Sequence, residues 1–302
     1  MSSVQLVSVG NLSHDIISIS GREYRSLGGS SAYFSLTSSK MGFKTGIVSK
    51  IGVDFKKDYL SILRKNKVDL LGLKTSTEKT TSFKNIYVNW RRKQILISTC
   101  GQINPEDFPE EYFEAELVYF GPIYREITVE LVGKVSGKGI KIALDIQGLC
   151  RRKFRNGVVI ETRSRKVEKF IEKVDIVKAA LSEAILITGE RDVVKICRKL
   201  SRLGPEIVLL TLGEEGAIVF GGDSAFKIPS FKVNVVDPTG AGDAFTCGFI
   251  TRYLSSGSLV EAALYGASTA SFVVEGLGLE NIPDAELVEK RIKLSNISAT
   301  PL

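Results

Sequence analysis

Between positions 236 and 245 the chain reads Val-Asp-Pro-Thr-Gly-Ala-Gly-Asp-Ala-Phe, then runs into the apolar stretch Thr246-Cys-Gly-Phe-Ile-Thr-Arg-Tyr-Leu254. Pro238 fixes one backbone angle, while Gly240 and Gly242 let the chain turn tightly and approach a ligand closely. The apolar stretch has a helical pattern. The unbonded N–H groups of Gly240, Ala241 and Gly242 would then crown a helix N-terminus, where the helix dipole adds to the attraction for anions. Asp243 puts a carboxylate inside this site for negative charge. Such a residue repels a phosphate unless it has a chemical task, and the natural one is accepting a proton from an attacking hydroxyl. The plain alternative is a capped helix with a Gly-rich lead-in.

The rest of the composition narrows the chemistry. His14 is the single histidine, so a His-rich metal cage is excluded and a Ser-His-Asp triad would have to use that one residue. Proton transfer falls to a carboxylate. Cys100, Cys150, Cys197 and Cys247 are widely spaced with no C-x-x-C pair, which suggests reduced core thiols rather than a zinc ribbon or a disulfide framework. No run approaches the roughly 18 apolar residues of a membrane span, and the first residues lack a signal-peptide pattern, so a cytoplasmic protein without membrane contact is expected. The net charge of +7 suits a protein that handles polyanions, although surface lysines would give the same figure. The densest basic stretches, Arg151-Arg-Lys-Phe-Arg155 and Arg163-Ser-Arg-Lys166, read as a solvated loop face rather than a nucleic-acid surface. They hold one aromatic and match no binding motif.

These residues need a scaffold, and 302 residues with 43% hydrophobic and 25% charged content can supply a sizeable core. Val4–Val9 reads as a buried strand, and residues 16–27 as a small hairpin outside the main sheet. Gly28-Gly29 opens a helix through Lys40. Residues 46–51, 117–120, 140–145, 175–178 and 207–211 read as apolar strands, residues 55–65 as a helix, and residues 80–89 and 94–98 as two alternating strands. Two helices are expected to close the chain after Asp243, the second from Leu259 to about Val274. Its small-residue face, with Ala262, Ala263, Ala267, Ala270 and Ser271, suits close packing or a planar ligand. Strand–helix alternation predicts an α/β fold with a mostly parallel central sheet covered on both faces. Nothing divides the chain, so a single domain over 1–302 is expected, with a small β excursion. In such sheets ligands sit at the carboxyl ends of the strands.

The string D-P-T-G-A-G-D at 237–243 closely resembles the C-terminal signature of the PfkB/ribokinase family of ATP-dependent sugar kinases, and the resemblance runs in order along essentially the whole chain. It implies a ribokinase-like fold with a small β lid from about 12–27 and 80–99. It also implies transfer of the ATP γ-phosphoryl group to a sugar or polyol hydroxyl, with Asp243 as base and the amides of Gly240 to Asp243 as anion hole. Gly10 followed by Asp15 resembles the family's sugar-binding aspartate, and Gly28-Gly29 the hinge of its lid. Thr211-Leu-Gly213-Glu-Glu-Gly216 is similar to its T-x-G-x-x-G nucleotide loop. Glu183 matches the glutamate of its N-x-x-E motif, which helps hold Mg²⁺, but Ala180 stands where that motif has asparagine, and Lys178 is a candidate replacement. Asp237, with the backbone near Gly276 and Gly278, resembles a monovalent-cation site of some members. Ala267 and Ser271 fall where the family lines its adenine cleft.

Tyr33 stands where the family's G-G-x-x-x-N motif has asparagine, so a ribose contact is missing. Gly10-Asn-Leu-Ser-His-Asp15, Val48-Ser-Lys-Ile-Gly-Val-Asp-Phe55, Asp145-Ile-Gln147 and Val177-Lys-Ala179 resemble the myo-inositol kinases, which makes inositol the leading acceptor. Other sugar or nucleoside kinases of the same family, and a non-catalytic sugar or nucleotide sensor, are the alternatives. A dinucleotide oxidoreductase is disfavoured, since no G-x-G-x-x-G follows the first strand. An exposed lid edge would make a homodimer plausible.

Overall fold

The computed structural model describes residues 3–19, 21–88 and 91–302; Ser20, Asn89 and Trp90, which fall inside the expected hairpins, lie outside the described residues. In chain order the strands are β1 Leu6–Val9, β2 Ser13–Ile19, β3 Arg22–Gly28, β4 Thr45–Gly52, β5 Asp69–Ser76, β6 Thr81–Val88, β7 Arg91–Ser98, β8 Leu117–Phe120, β9 Lys141–Asp145, β10 Arg151–Lys153, β11 Val159–Glu161, β12 Ile176–Ala180, β13 Ile207–Thr211, β14 Ala217–Gly221, β15 Ser224–Ile228 and β16 Thr300–Pro301. The α-helices are α1 Ser30–Lys40, α2 Lys57–Lys65, α3 Val129–Ser136, α4 Gln147–Cys150, α5 Lys166–Ile171, α6 Leu181–Thr188, α7 Val193–Ser201, α8 Ala241–Ser256, α9 Leu259–Val273 and α10 Ala285–Leu294.

The large sheet has the order β16-β15-β14-β13-β12-β9-β8-β1-β4-β5, parallel from β13 to β5 and antiparallel at the other edge. Alternate residues of its central strands face two cores. Val7, Val118, Leu144, Val177 and Leu210 pack with helices α3, α5, α6 and α7. Leu6, Leu117, Tyr119 and Leu209 pack with Phe34 of α1, Phe245 and Phe249 of α8, and Ala263 of α9. Burial on both faces is why these strands read as continuous apolar runs.

β2 and β3, and β6 and β7, form two antiparallel pairs joined by a parallel β2–β6 seam, giving a separate four-stranded sheet in the order β3-β2-β6-β7. Three helices, rather than two, follow Asp243. The third, α10, is mostly exposed and started by the Asp284 carboxylate, which accepts from Leu287 N at 2.9 Å. β5 at one edge, and the antiparallel strands β14, β15 and β16 at the other, are additions to the expected pattern. β14 and β15 are joined through Gly222 and Asp223, whose positive φ values of 55° and 61° fit the tight turn preferred by hairpins. Among the described residues no helix is long and apolar enough to cross a membrane.

Candidate active site

The carboxyl ends of β9, β12 and β13, the N-terminus of α8 and one face of the small sheet enclose a cavity of about 370 Å³. Gly240 starts α8 in the left-handed region at φ 81°, and a Cβ there would come within 2.1 Å of the Tyr33 ring, so the loop needs glycine at this position. The amides of Gly240, Gly242 and Asp243 have no backbone acceptor among the described residues, whereas Ala241 N reaches Pro238 O at 3.4 Å. The amides of Gly240, Gly242 and Asp243 are therefore the ones free to meet an anion, and Ala241 is not part of the cavity lining.

Asp243 lines the cavity with its carboxylate buried. The Tyr119 hydroxyl donates to its Oδ1 at 3.1 Å and Gln147 Nε2 at 3.4 Å, and the Ser30 hydroxyl also stabilises this carboxylate. Burial, then the nearby Asp145 carboxylate, push the Asp243 carboxyl up to about 6 against the pull of Lys178. Burial and the same two carboxylates hold the Tyr119 phenol far above its ordinary value, so it remains a donor. A value near 6 leaves the Asp243 carboxyl more basic than an ordinary aspartate and still mostly ionised at neutral pH.

Asp15 projects from β2 at the other end. Its Oδ1 accepts from Ser13 Oγ at 2.7 Å, and its Oδ2 faces Asn85 Nδ2 at 3.4 Å, with Gln94 Nε2 donating to Asn85 Oδ1 at 2.8 Å. Burial pushes this carboxyl up to about 6, partly offset by Ser13, Arg92 and Arg151. A Cβ at Gly28 would meet the Asp15 carboxyl carbon at 2.3 Å, so Gly28 makes room for Asp15 instead of lining the cavity itself. Gly29 and Tyr33 do line it.

On the donor side, Lys178, Glu183, Thr211 and Gly213 line the cavity. Glu183 folds back so that its Oε2 accepts from Ala180 N at 2.8 Å, and burial pushes its carboxyl up to about 7 against Lys178. Among the described residues no group of three or more acids, histidines or cysteines is gathered to hold a metal ion. Glu183 has its second oxygen left for a contact through water. Gly216, Asp237, Ala267 and Ser271 lie outside the cavity lining. At Gly216 a Cβ would meet Ile228 O at 2.0 Å, so this glycine serves the β14–β15 packing. Asp237 is fully buried, with Oδ1 taken by Thr239 N and Oγ1 and Oδ2 by Gly278 N at 3.0 Å. Ala267 packs into the second core, and Ser271 Oγ accepts from Arg291 Nη1 at 2.8 Å.

Several lining residues had no role assigned from the sequence. Gln147 lies beside Asp243, and Asn85, Gln94, Tyr87 and Arg92 project from the small sheet, while Tyr119 and Asp145 stand just behind the lining, the first bonded to Asp243 and the second to Lys178. Arg151 corrects the expectation of a solvated basic face. Only its neighbours from Arg152 onward are exposed, while its own guanidinium is buried and donates to Ile123 O at 2.9 Å and Gln147 Oε1 at 2.8 Å. The signal available was a charge placed directly after the apolar pair Leu149-Cys150, at the head of the basic run.

The architecture and site define a ribokinase-like phosphotransferase. A pyrophosphate-dependent kinase of the ribokinase family, solved with a pyrophosphate analogue and myo-inositol, superposes with a TM-score of 0.83 at 26% identity, over 94% of this chain and 99% of that one. The model of the pfkB family of carbohydrate kinases matches residues 11–285, and the chain belongs to that family. It is a sugar or nucleoside kinase, acting on an alcohol group, in a family that uses ATP. Cytidine kinase of Thermococcus kodakarensis is 30% identical over 91% of this chain and 98% of its own length. Inositol 3-kinase of Arabidopsis thaliana is 26% identical over 98% of this chain and 83% of its own.

Proposed function

We propose that this protein transfers the γ-phosphoryl group of ATP to a hydroxyl of a polyol, with myo-inositol as the leading acceptor. The observation that carries the acceptor reading is the hydrogen-bonded row Gln94–Asn85–Asp15–Ser13 along the cavity wall. A row of donors and acceptors at strand spacing suits a ring bearing a hydroxyl on every carbon. The likeness to the inositol 3-kinase and to the structure holding myo-inositol points the same way.

In the reaction, Asp15 orients the acceptor and Asp243 Oδ2 takes the proton from the attacking oxygen. That oxygen bonds to phosphorus as the bond to the leaving ADP breaks, and the amides of Gly240, Gly242 and Asp243 stabilise the transferring charge. Mg²⁺ carried on the donor phosphates would neutralise their charge, with Glu183 as its outer contact through water. Residues 1–302 then act as one catalytic domain, and the small sheet is the lid that excludes water. Its β3 edge is the surface a second copy would use, since β7 is bridged through Ile95 to Val158, and light scattering would report the dimer. Four buried free thiols suit work in the cytoplasm.

A second reading concerns the donor. The residues expected around adenine, Ala267 and Ser271, are packed away from the cavity, which favours a donor without a nucleoside, as in the pyrophosphate-dependent relative. Initial rates decide both points, with ATP or pyrophosphate as donor and myo-inositol, ribose, fructose, adenosine, guanosine and cytidine as acceptors. A preference for cytidine over every polyol would refute the inositol assignment. Absence of transfer to any acceptor would favour a sensor.

A further inference from the structure

Gln147 opens α4, and the same turn of chain carries Arg151 to the start of β10. The Arg151 guanidinium is buried, and among the described residues no carboxylate pairs with it; Glu161, opposite it in register on β11, makes no ion pair. Its acceptors are two neutral oxygens, Ile123 O at 2.9 Å and Gln147 Oε1 at 2.8 Å. A buried charge held only by neutral oxygens calls for a reason beyond packing. An arginine can only donate, so Gln147 must turn its oxygen to Arg151 and its NH₂ the other way. That NH₂ donates to Ser30 Oγ at 2.7 Å and to Asp243 Oδ1 at 3.4 Å. The Ser30 oxygen accepts from Gln147, and its one proton goes to the Asp243 carboxylate. Every bond in the row Arg151–Gln147–Ser30–Asp243 therefore runs toward the carboxylate. The turn that carries the row is fixed in place, since a Cβ on Gly148 would meet Pro122 O at 2.2 Å.

We propose that Arg151 is a positioning residue for the transfer: it fixes the direction of the Gln147 amide, which together with Ser30 presents Asp243 as a proton acceptor. This rests on the reading of Asp243 as the base. The other groups that face Asp243 come from separate elements. Tyr119 on β8 donates to it, Lys178 on β12 favours its charged form and Asp145 on β9 opposes it, while burial holds the Tyr33 phenol of α1 and the Cys247 thiol of α8 protonated. None of these sets the direction of the Gln147 side chain. With the amide reversed, its oxygen would face the carboxylate and draw the Ser30 proton away from it. During transfer the hydroxyl proton passes to Asp243 as the new O–P bond forms and the donor's P–O bond breaks, and Arg151, Gln147 and Ser30 keep their protons throughout.

The test compares Arg151→Met, Gln147→Leu, their double variant and Gln147→Glu with the wild type by the pH dependence of kcat/KM, using ATP or pyrophosphate as donor, the acceptor of highest rate from the panel above, and thermal unfolding as a control. Each single apolar variant is expected to move the acid limb up by about one pH unit, with both KM values at pH 8.5 near those of the wild type. Because Arg151 acts through Gln147, the double variant should shift no further than either single one. Gln147→Glu gives Arg151 an ion-pair partner, so it should fold even if Arg151→Met does not, but it supplies no NH₂ and should raise the acid limb at least as far. Additive shifts in the double variant, a wild-type acid limb in Arg151→Met or Gln147→Glu, or a loss confined to acceptor KM would overturn the proposal and leave the kinase reading intact. A wild-type protein that transfers no phosphoryl group from either donor would overturn both.

Discussion

Replacing Asp243 by Asn should abolish turnover and stabilise the protein at once, and the two effects come from the same burial. Asn keeps the shape and an oxygen for the Tyr119 and Gln147 donors but cannot accept the proton, so kcat should fall by roughly 10²–10⁴-fold with donor affinity retained. The gain in stability comes from the rise of the carboxyl from 3.8 to about 6, which at ~1.4 kcal/mol per tenfold amounts to about 3 kcal/mol. The sign is set by linkage. A carboxyl whose folded value lies above its unfolded one costs nothing below 3.8, where both states are protonated, and costs its full amount above about 6. Asp243→Asn should therefore raise the unfolding free energy by about 1–3 kcal/mol at pH 8, and the gain should vanish towards pH 4. Denaturant titrations at the two pH values measure it. An equal gain at both, or a loss at pH 8, would show that the charge of Asp243 is not the source. Retained kcat would refute its role as base.

Wild-type kcat/KM should fall on the acid side below about pH 6, with a slope approaching two decades per unit if Asp15 must also be ionised, and a profile flat to pH 5 would contradict this. Tyr119→Phe removes a hydrogen bond to the ionised base, so the acid limb should move up by about one pH unit, with near-normal rates at pH 8.5. Gly240→Ala forces a Cβ against the Tyr33 ring at a left-handed φ, and should cost about 2 kcal/mol of stability and most of the activity, read by calorimetry and initial rates.

What the sequence made legible was what depends on local chemistry. The glycines and proline before α8 dictate their own turn, and the strand runs state their own burial, so the loop at 237–243 and the parallel sheet could be read directly. The Asp145–Lys178 contact depends on which strands become neighbours, and no local pattern across 33 residues records that. The Asn85–Gln94 row likewise depends on the small sheet folding over Asp15. Small-residue faces are ambiguous, since the spacing that admits a planar ligand also admits a helix, and Ala267 and Ser271 went to packing. The Gly222-Asp223 turn was readable but joins two antiparallel strands that were not among the strands read from the sequence.

One short chain of hydroxyls ties the two halves of the site. Tyr87 of β6 meets Thr239 Oγ1 at 2.8 Å, and Thr239 donates to the buried Asp237. Asn85 stands on the same strand, so on the proposed acceptor site an alcohol that seated badly against it would tug at the segment feeding α8. Selectivity among alcohols should then surface in how fast each bound complex turns over, and Tyr87→Phe should level those rates while leaving the ranking of affinities in place. A water molecule that never reaches β6 would gain little from the machinery, and wasteful hydrolysis would stay slow.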